Sequence, residues 1–142
     1  MELFIEQLQE QDIILLGDIS DETSDIDPKS VKVFLAEKQN IALVAKLNGK
    51  VIGLLYGYSL ADFYSQQAQF YVYSIDIHAE YCNKGYGSQF MQLAIKWAKD
   101  NGFRKCYLSA EEENKRARRV YEKMGMTVTN TREYKINFSK NE

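Results

Sequence analysis

The sequence predicts a mixed α/β fold, a mostly antiparallel sheet with a central βαβ unit. Three observations predict it. β-rich runs over 41–47 and 51–60 flank Asn48-Gly49, the strongest short hairpin signal. A β-rich run over 70–78, an amphipathic helical pattern and a second β-rich run over 105–109 follow in the order of a crossover unit. One Pro, no long Gly/Ser tract and no internal repeat leave no place for a linker, so residues 1–142 are expected to form one domain.

The elements follow in order. Leu3 to Leu8 reads as a first strand, and Asp12 to Gly17 as a short helix. Asp27-Pro28 is a clean helix start, with Asp at the N-cap and Pro at the first helical position. Val31, Phe34 and Leu35 then give an apolar stripe at helical spacing. In the return strand of the hairpin, Gly53 and Gly57 mark sites of a bulge or a close backbone approach. Residues 61–69 read as a loop. Strict alternation over 70–78 puts Tyr71, Tyr73, Ile75 and Ile77 on one face and Val72, Ser74, Asp76 and His78 on the other. The helix after it buries Phe90, Leu93, Ala94, Trp97 and Ala98, and Asn101-Gly102 closes it. Asn114 to Met124 is a second amphipathic helix, with Ala117, Val120, Tyr121 and Met124 on one stripe. Arg132 to Phe138 alternates as a last strand.

Composition narrows the function classes. With 142 residues, 45% hydrophobic and 27% charged, the chain is long enough and apolar enough to bury a core. Two Cys and one His are too few for a Cys/His metal site, and both thiols are expected to be reduced in a cytoplasmic protein. No apolar run approaches the ~20 residues of a membrane span, and no secretory leader pattern opens the chain. A net charge of -2 excludes a strongly basic nucleic-acid binder. The run Lys115-Arg116-Ala117-Arg118-Arg119 has no interleaved aromatics for base stacking. The charge is unevenly spread: residues 1–28 hold nine acids and no Lys or Arg, whereas 29–142 hold 11 acids and 18 bases.

The richest segment joins the strand over 70–78 to the next helix through Cys82-Asn83-Lys84-Gly85-Tyr86-Gly87-Ser88. A helix N-terminus directs N–H groups and partial positive charge outward, glycines let a phosphate approach the backbone, and Lys84 adds a full charge. No G-x-x-x-x-G-K-[ST] is present, and Phe90 stands where a dinucleotide fingerprint needs its third Gly.

The stretch Ile75 to Ser88 resembles motif A of the GNAT (Gcn5-related) N-acetyltransferases, a hydrophobic strand, then R/Q-x-x-G-x-G/A, then a helix. Asn114, Ala117, Tyr121 and Gly125-Met126 resemble the family's downstream Asn/Tyr helix motif. Asn114 and Tyr121, seven apart, share one helix face. The resemblance covers 75–126 closely and implies a GNAT-like sheet with helices on both faces. Cys82 stands where the family carries Arg or Gln, a position that contributes a phosphate-facing amide, and Met126 replaces Phe.

The resemblance implies acetyl-CoA as co-substrate, no metal, and direct transfer to a primary amine. Pantetheine is expected between the strands at 70–78 and 105–109. Ile75 and Ile77 would contribute strand backbone, with the N–H near Ile77 polarising the thioester carbonyl. The loop from Cys82 through Asn83, Lys84, Gly85, Tyr86, Gly87 and Ser88 would hold the pyrophosphate. Tyr121 is the expected general acid for the departing thiolate, with Asn114 bonding the pantetheine or capping its own helix. Asp76, with Ser74 on its face, and Glu111 to Glu113 are candidates for the base. The family's first helices wall the acceptor site, so the acids of residues 10–27, among them Asp18, Asp21, Glu22 and Asp25, point to a small cationic acceptor: a polyamine, an aminoglycoside or an amino sugar. A weaker likeness over Tyr56 to Tyr73 is to the family's aminoglycoside 3-N-acetyltransferases, but Ser74 stands where they carry an aspartate. A protein N-terminal or lysine acetyltransferase and a non-catalytic acyl-CoA-binding module are the alternatives. Many members are dimers, so a homodimer is an expectation that comes with the family.

Overall fold

The computed structural model describes residues 2–17, 19 and 26–139. The chain divides into two compact units, Met1–Ser109 and Ala110–Glu142.

The first unit is built on one sheet of five strands, β1 (Leu3–Gln7), β2 (Asn40–Leu47), β3 (Lys50–Leu60), β4 (Gln69–Ile77) and β5 (Lys105–Leu108), adjacent in that order. The pairs from β1 to β4 are antiparallel, and β4 with β5 is parallel. Asn48-Gly49 turns β2 into β3 as expected. The short helix expected at Asp12 forms as a 3-10 helix over Glu10–Leu15. Helix α1 spans Pro28–Ala36, and its cap is the one the sequence announces: the Lys29 N–H donates to the Asp27 carboxylate at 3.1 Å. Helix α2 spans Tyr86–Asp100 and supplies the β4-to-β5 crossover.

The two faces of the sheet bury different material. On one, α2 lays Phe90, Met91, Ala94 and Ala98 against the sheet, where Leu43, Leu55 and Phe70 are fully buried. Phe70 packs against Trp97 and Phe103 with ring centroids 5.5 Å away in each case. Burial of one such Phe is worth roughly 2–3 kcal/mol. On the other face, Leu8, Leu16, Ile19, Ala42, Val44 and Val51 pack with Val31, Phe34 and Leu35 of α1.

The strict alternation expected along β4 is broken. Tyr56 pairs with Ser74 but Gly57 pairs with Val72, so Tyr73 is an extra residue, a β-bulge. Phe70 and Val72 therefore share the α2 face with Ile77, while Tyr73 joins Tyr56 and Tyr58 on the α1 face. Gly57 makes the bulge possible. A Cβ there would overlap the Tyr71 carbonyl and come within 3.0 Å of the Val72 Cα.

In the second unit, α3 spans Lys115–Lys123. The strand expected over 132–138 is not formed, and Tyr134, Ile136 and Phe138 are 89%, 79% and 95% exposed. Alternation gives a segment one apolar face, but a strand exists only through a hydrogen-bonded neighbour. The described residues of this unit contain no other strand to provide one.

Candidate active site

The loop between β4 and α2 has the local structure of an anion cradle. His78 caps a single 3-10 turn over Ala79–Tyr81, its Nδ1 accepting the Glu80 N–H at 3.2 Å. Asn83 and Gly85 both take positive φ, 62° and 84°, and Gly85 is the N-cap of α2. This left-handed step turns the chain into the helix at little cost only with glycine or asparagine. The Gln89 N–H closes the first helical bond, onto the Gly85 carbonyl at 3.1 Å, and Gly85 at the N-cap has no side chain to cap the first turn. The N–H groups of Tyr86, Gly87 and Ser88 thus lie ahead of the intrahelical ladder and suit a phosphate. Cys82 is exposed, and its thiol reaches the Ile77 carbonyl at 3.4 Å and the His78 carbonyl at 3.6 Å, tying the loop to the end of β4.

Two lysines meet at this loop, and the sequence pointed to only one. Lys84 Nζ lies 5.9 Å from the Tyr81 ring centroid, and Lys50 Nζ, from the start of β3, lies 5.6 Å from the same ring. A basic residue next to the Asn-Gly turn was the available signal for Lys50. Backbone donors and two ammonium groups are the donor set that a pyrophosphate requires, so the residues present fit coenzyme A.

Beside the loop, the sheet opens. β5 pairs with β4 only from Gln69 to Val72, while β4 continues along β3 to Ile77. The His78 N–H donates to the Ile52 carbonyl at 2.8 Å. By alternation, the N–H groups of Ile75 and Ile77 point the opposite way, to the side that β5 has left. The structure thereby brings together Ile75, Ile77, Cys82, Asn83, Lys84, Gly85, Tyr86, Gly87 and Ser88 at one end of the sheet.

Asp76 faces the other way, toward α1. Ser74 Oγ donates to its carboxylate at 3.3 Å, as their shared face predicts. Both line a cavity of about 580 Å³ with Phe34, Leu54, Tyr56 and Tyr58. Its aromatic wall is continuous: Phe34 lies 5.6 Å from Tyr56 and 5.9 Å from Tyr58, and Tyr56 stacks on Tyr73 at 5.5 Å. Burial first, then Tyr73, Tyr58 and Asp76, push the Tyr56 phenol above its usual value and keep it protonated. Sequence reasoning missed these rings, although Tyr56/Tyr58 and Tyr71/Tyr73 at spacing two carried the signal.

Four described acids of the front are engaged locally. Glu6 and Asp12 converge on Lys46, Glu10 pairs with Lys32 at 3.3 Å, and Asp27 caps α1. Asp18, Asp21, Glu22 and Asp25 lie outside the described residues.

In the second unit, the Asn114 side chain caps α3 by accepting the Ala117 N–H at 3.1 Å. Tyr121 is half-buried, and burial raises its phenol above its usual value near 10. Arg118 is held by the Glu112 carbonyl at 3.1 Å. No group of three or more His, Cys, Asp or Glu among the described residues converges as a metal site would. No helix among them is long and apolar enough to cross a membrane.

Comparison with known proteins agrees with this geometry. Residues 6–126 match the model of the acetyltransferase (GNAT) family. No curated protein sequence matches the chain significantly. Among solved structures, an aminoglycoside acetyltransferase from an uncultured soil metagenomic sample, in complex with sisomicin, is 21% identical with a TM-score of 0.81, over 97% of each chain. A ribosomal-protein-alanine N-acetyltransferase from Brucella melitensis biovar Abortus 2308 is 19% identical with a TM-score of 0.80, over 97% of this chain and all of that one. A GNAT family acetyltransferase from Staphylococcus aureus is 16% identical with a TM-score of 0.78, over 97% of this chain and all of that one. At these identities the structures bear on the fold, and the family match over residues 6–126 identifies the chain: it belongs to the GNAT family and is an acetyl-CoA-dependent N-acetyltransferase.

Proposed function

We propose that this enzyme moves the acetyl group directly to the primary amine of a small cationic molecule held in the cavity over Asp76. The observation that carries the reading is the division of labour along β4. Its main chain is open on the side that β5 leaves, while Ser74 and Asp76 line a cavity of about 580 Å³ on the sheet's α1 face. That volume is of small-molecule size.

Bound acetyl-CoA supplies a thioester carbonyl open to attack by the amine nitrogen, the C–N bond forming as the C–S bond breaks. The main-chain amides of Tyr86 to Ser88, with Lys84 and Lys50, hold the pyrophosphate, and Cys82 and Asn83 shape the loop. The Ile77 N–H donates to the carbonyl oxygen as charge develops there, and Ile75 supplies neighbouring main chain. An ordinary alkylammonium must first lose a proton, which near pH 7 costs on the order of 4 kcal/mol. Asp76, held by Ser74, takes that proton directly or through water. Tyr121 gives a proton to the leaving thiolate, and Asn114 sets the start of its helix. Since burial raises the Tyr121 phenol, its acid form persists above pH 10. The rate should therefore rise with pH as the acceptor deprotonates, with no fall from Tyr121 below that point.

The test is a CoA-release screen over polyamines, aminoglycosides, amino sugars, simple monoamines and peptides. A small amine should release CoA at a rate that Tyr121→Phe abolishes. Release with peptides alone would overturn the reading of the acceptor, and acetyl-CoA binding without release for any amine would overturn transfer itself.

A further inference from the structure

We infer that Lys50 and Lys84, gathered at the ring of Tyr81, recognise the 3′-phosphate of coenzyme A, and that Lys50 is the residue by which the enzyme tells coenzyme A from donors without that group. This rests on the coenzyme A reading of the loop and extends the part of the two lysines beyond the pyrophosphate.

Position is the first ground. In coenzyme A the thioester arm, the pyrophosphate and the 3′-phosphorylated nucleoside follow one another in that order. The end of β4 offers its groups in a matching order. The flank that β5 leaves after Val72 is open to the thioester arm, and the start of α2 suits the pyrophosphate. Lys50 comes from the opposite flank. β3 pairs with β4 as far as Gly53 and Ile77, the His78 N–H donates to the Ile52 carbonyl at 2.8 Å, and Lys50 precedes Ile52 by two residues. The Tyr81 ring links this flank to the helix start. Its centroid lies 6.2 Å from that of Tyr86, the first residue of α2, and 5.6 Å from Lys50 Nζ.

Charge is the second ground. A phosphate monoester carries about 1.5–2 negative charges near pH 7 and three strong acceptor oxygens. Main-chain amides engaged by the pyrophosphate cannot serve it as well, so it calls for point charges on flexible stems, which lysine supplies. Between positions 78 and 88 the sequence holds one acid, Glu80, and one base, Lys84, so Lys50 turns a balanced loop into a positive one. Both lysines are exposed and open to a ligand. The Tyr81 ring attracts both ammonium groups, Lys84 Nζ lying 5.9 Å from its centroid, which offsets part of the rotamer freedom that long side chains lose when held in one place.

The experiment titrates the full chain by calorimetry with coenzyme A and with dephospho-coenzyme A, which lacks only the 3′-phosphate. The parent should bind coenzyme A at least about tenfold more tightly, with the preference shrinking as salt is added. Lys50→Ala, a change at an exposed position that keeps the fold, should weaken coenzyme A about three- to fivefold and dephospho-coenzyme A less than about twofold. Tyr81→Leu should lower the preference by a similar factor, and Tyr81→Phe, which keeps the ring, should retain it. Equal losses for the two ligands on Lys50→Ala would confine Lys50 to the pyrophosphate and overturn the inference. Equal binding of the two ligands by the parent would overturn it as well, and both results would leave the coenzyme A reading of the loop standing. Failure of coenzyme A to bind at all would overturn that reading and the inference with it.

Discussion

The two sides of β4 are made of different materials. On the side of the gap, the groups offered are main-chain amides: the Ile77 N–H and, in the adjoining loop, those of Tyr86 to Ser88. On the α1 side, they are side chains drawn from three elements: Phe34 of α1, Tyr56 and Tyr58 of β3, Ser74 and Asp76 of β4. A main-chain site persists through most substitutions, because every residue but proline carries an amide. A side-chain site can change its ligand without disturbing the sheet. In the proposed reaction, co-substrate recognition is therefore tied to the fold, and acceptor recognition is free to vary upon it.

The largest expected effect falls on the side-chain exception to donor chemistry. Tyr121→Phe should lower kcat roughly 100-fold or more, the usual scale for loss of a positioned general acid. Affinity for acetyl-CoA should stay unchanged in a direct titration. A kcat within about twofold of the parent would show that the thiolate leaves without help from this phenol.

The next effect tests whether the bulge is what separates the two sides. Gly57→Ala drives a methyl group into the Tyr71 carbonyl, a main-chain atom that cannot move aside as a side chain does. Overpacking of this kind costs about 1–3 kcal/mol. Chemical denaturation should report that loss, and the acceptor KM should rise as Tyr73 shifts from Tyr56. An unchanged unfolding midpoint would mean that β4 leaves room for a methyl group beside the Tyr71 carbonyl.

How far the sequence foretold this arrangement depends on the range of each signal. The Asp27 cap, the Asn48-Gly49 turn, the α2 stripe and the glycine loop are local patterns, and each appears where the residues place it. Gly57 announced a bulge or a close approach, and both are there, but which residue is inserted was not legible, because period-two alternation assumes no insertion and Tyr73 is extra only against Gly57 on another strand. Tyr73, expected on the face of Ile75 and Ile77, therefore joins Tyr56 and Tyr58 on the α1 face instead. Lys50 reaches the Tyr81 ring from 31 positions away, a meeting that only the sheet creates. The segment over 132–138 fails for the opposite reason: its local pattern is good, but pairing is not a local property.

Smaller effects separate charge from main chain on the donor side. Lys50→Ala removes one exposed ammonium from the loop, and exposed charges contribute about 0.2–1 kcal/mol. The KM for acetyl-CoA should rise up to about fivefold, with kcat unchanged and the difference shrinking as salt is added. A drop in kcat would give Lys50 a part in the reaction and not only in binding.

The smallest effect is the most demanding test of the contrast. The resemblance puts Arg or Gln, with a phosphate-facing amide, where this chain has Cys82, but here the Cys82 N–H donates to the Ala79 carbonyl at 3.3 Å and closes the 3-10 turn. Its thiol makes only weak contacts, to carbonyls at 3.4 and 3.6 Å. If the main chain holds the co-substrate, Cys82→Ala should leave the KM for acetyl-CoA within about twofold, because the removed sulfur contributes little and the amides of Tyr86 to Ser88 stay. The same reasoning limits what Cys82→Arg can add: a salt-sensitive gain of the size lost in Lys50→Ala, since an exposed guanidinium beside the loop acts as a charge of the same kind. A tenfold rise in KM for Cys82→Ala would show that side chains build the donor site as they build the acceptor site, and the distinction between the two sides of β4 would fail.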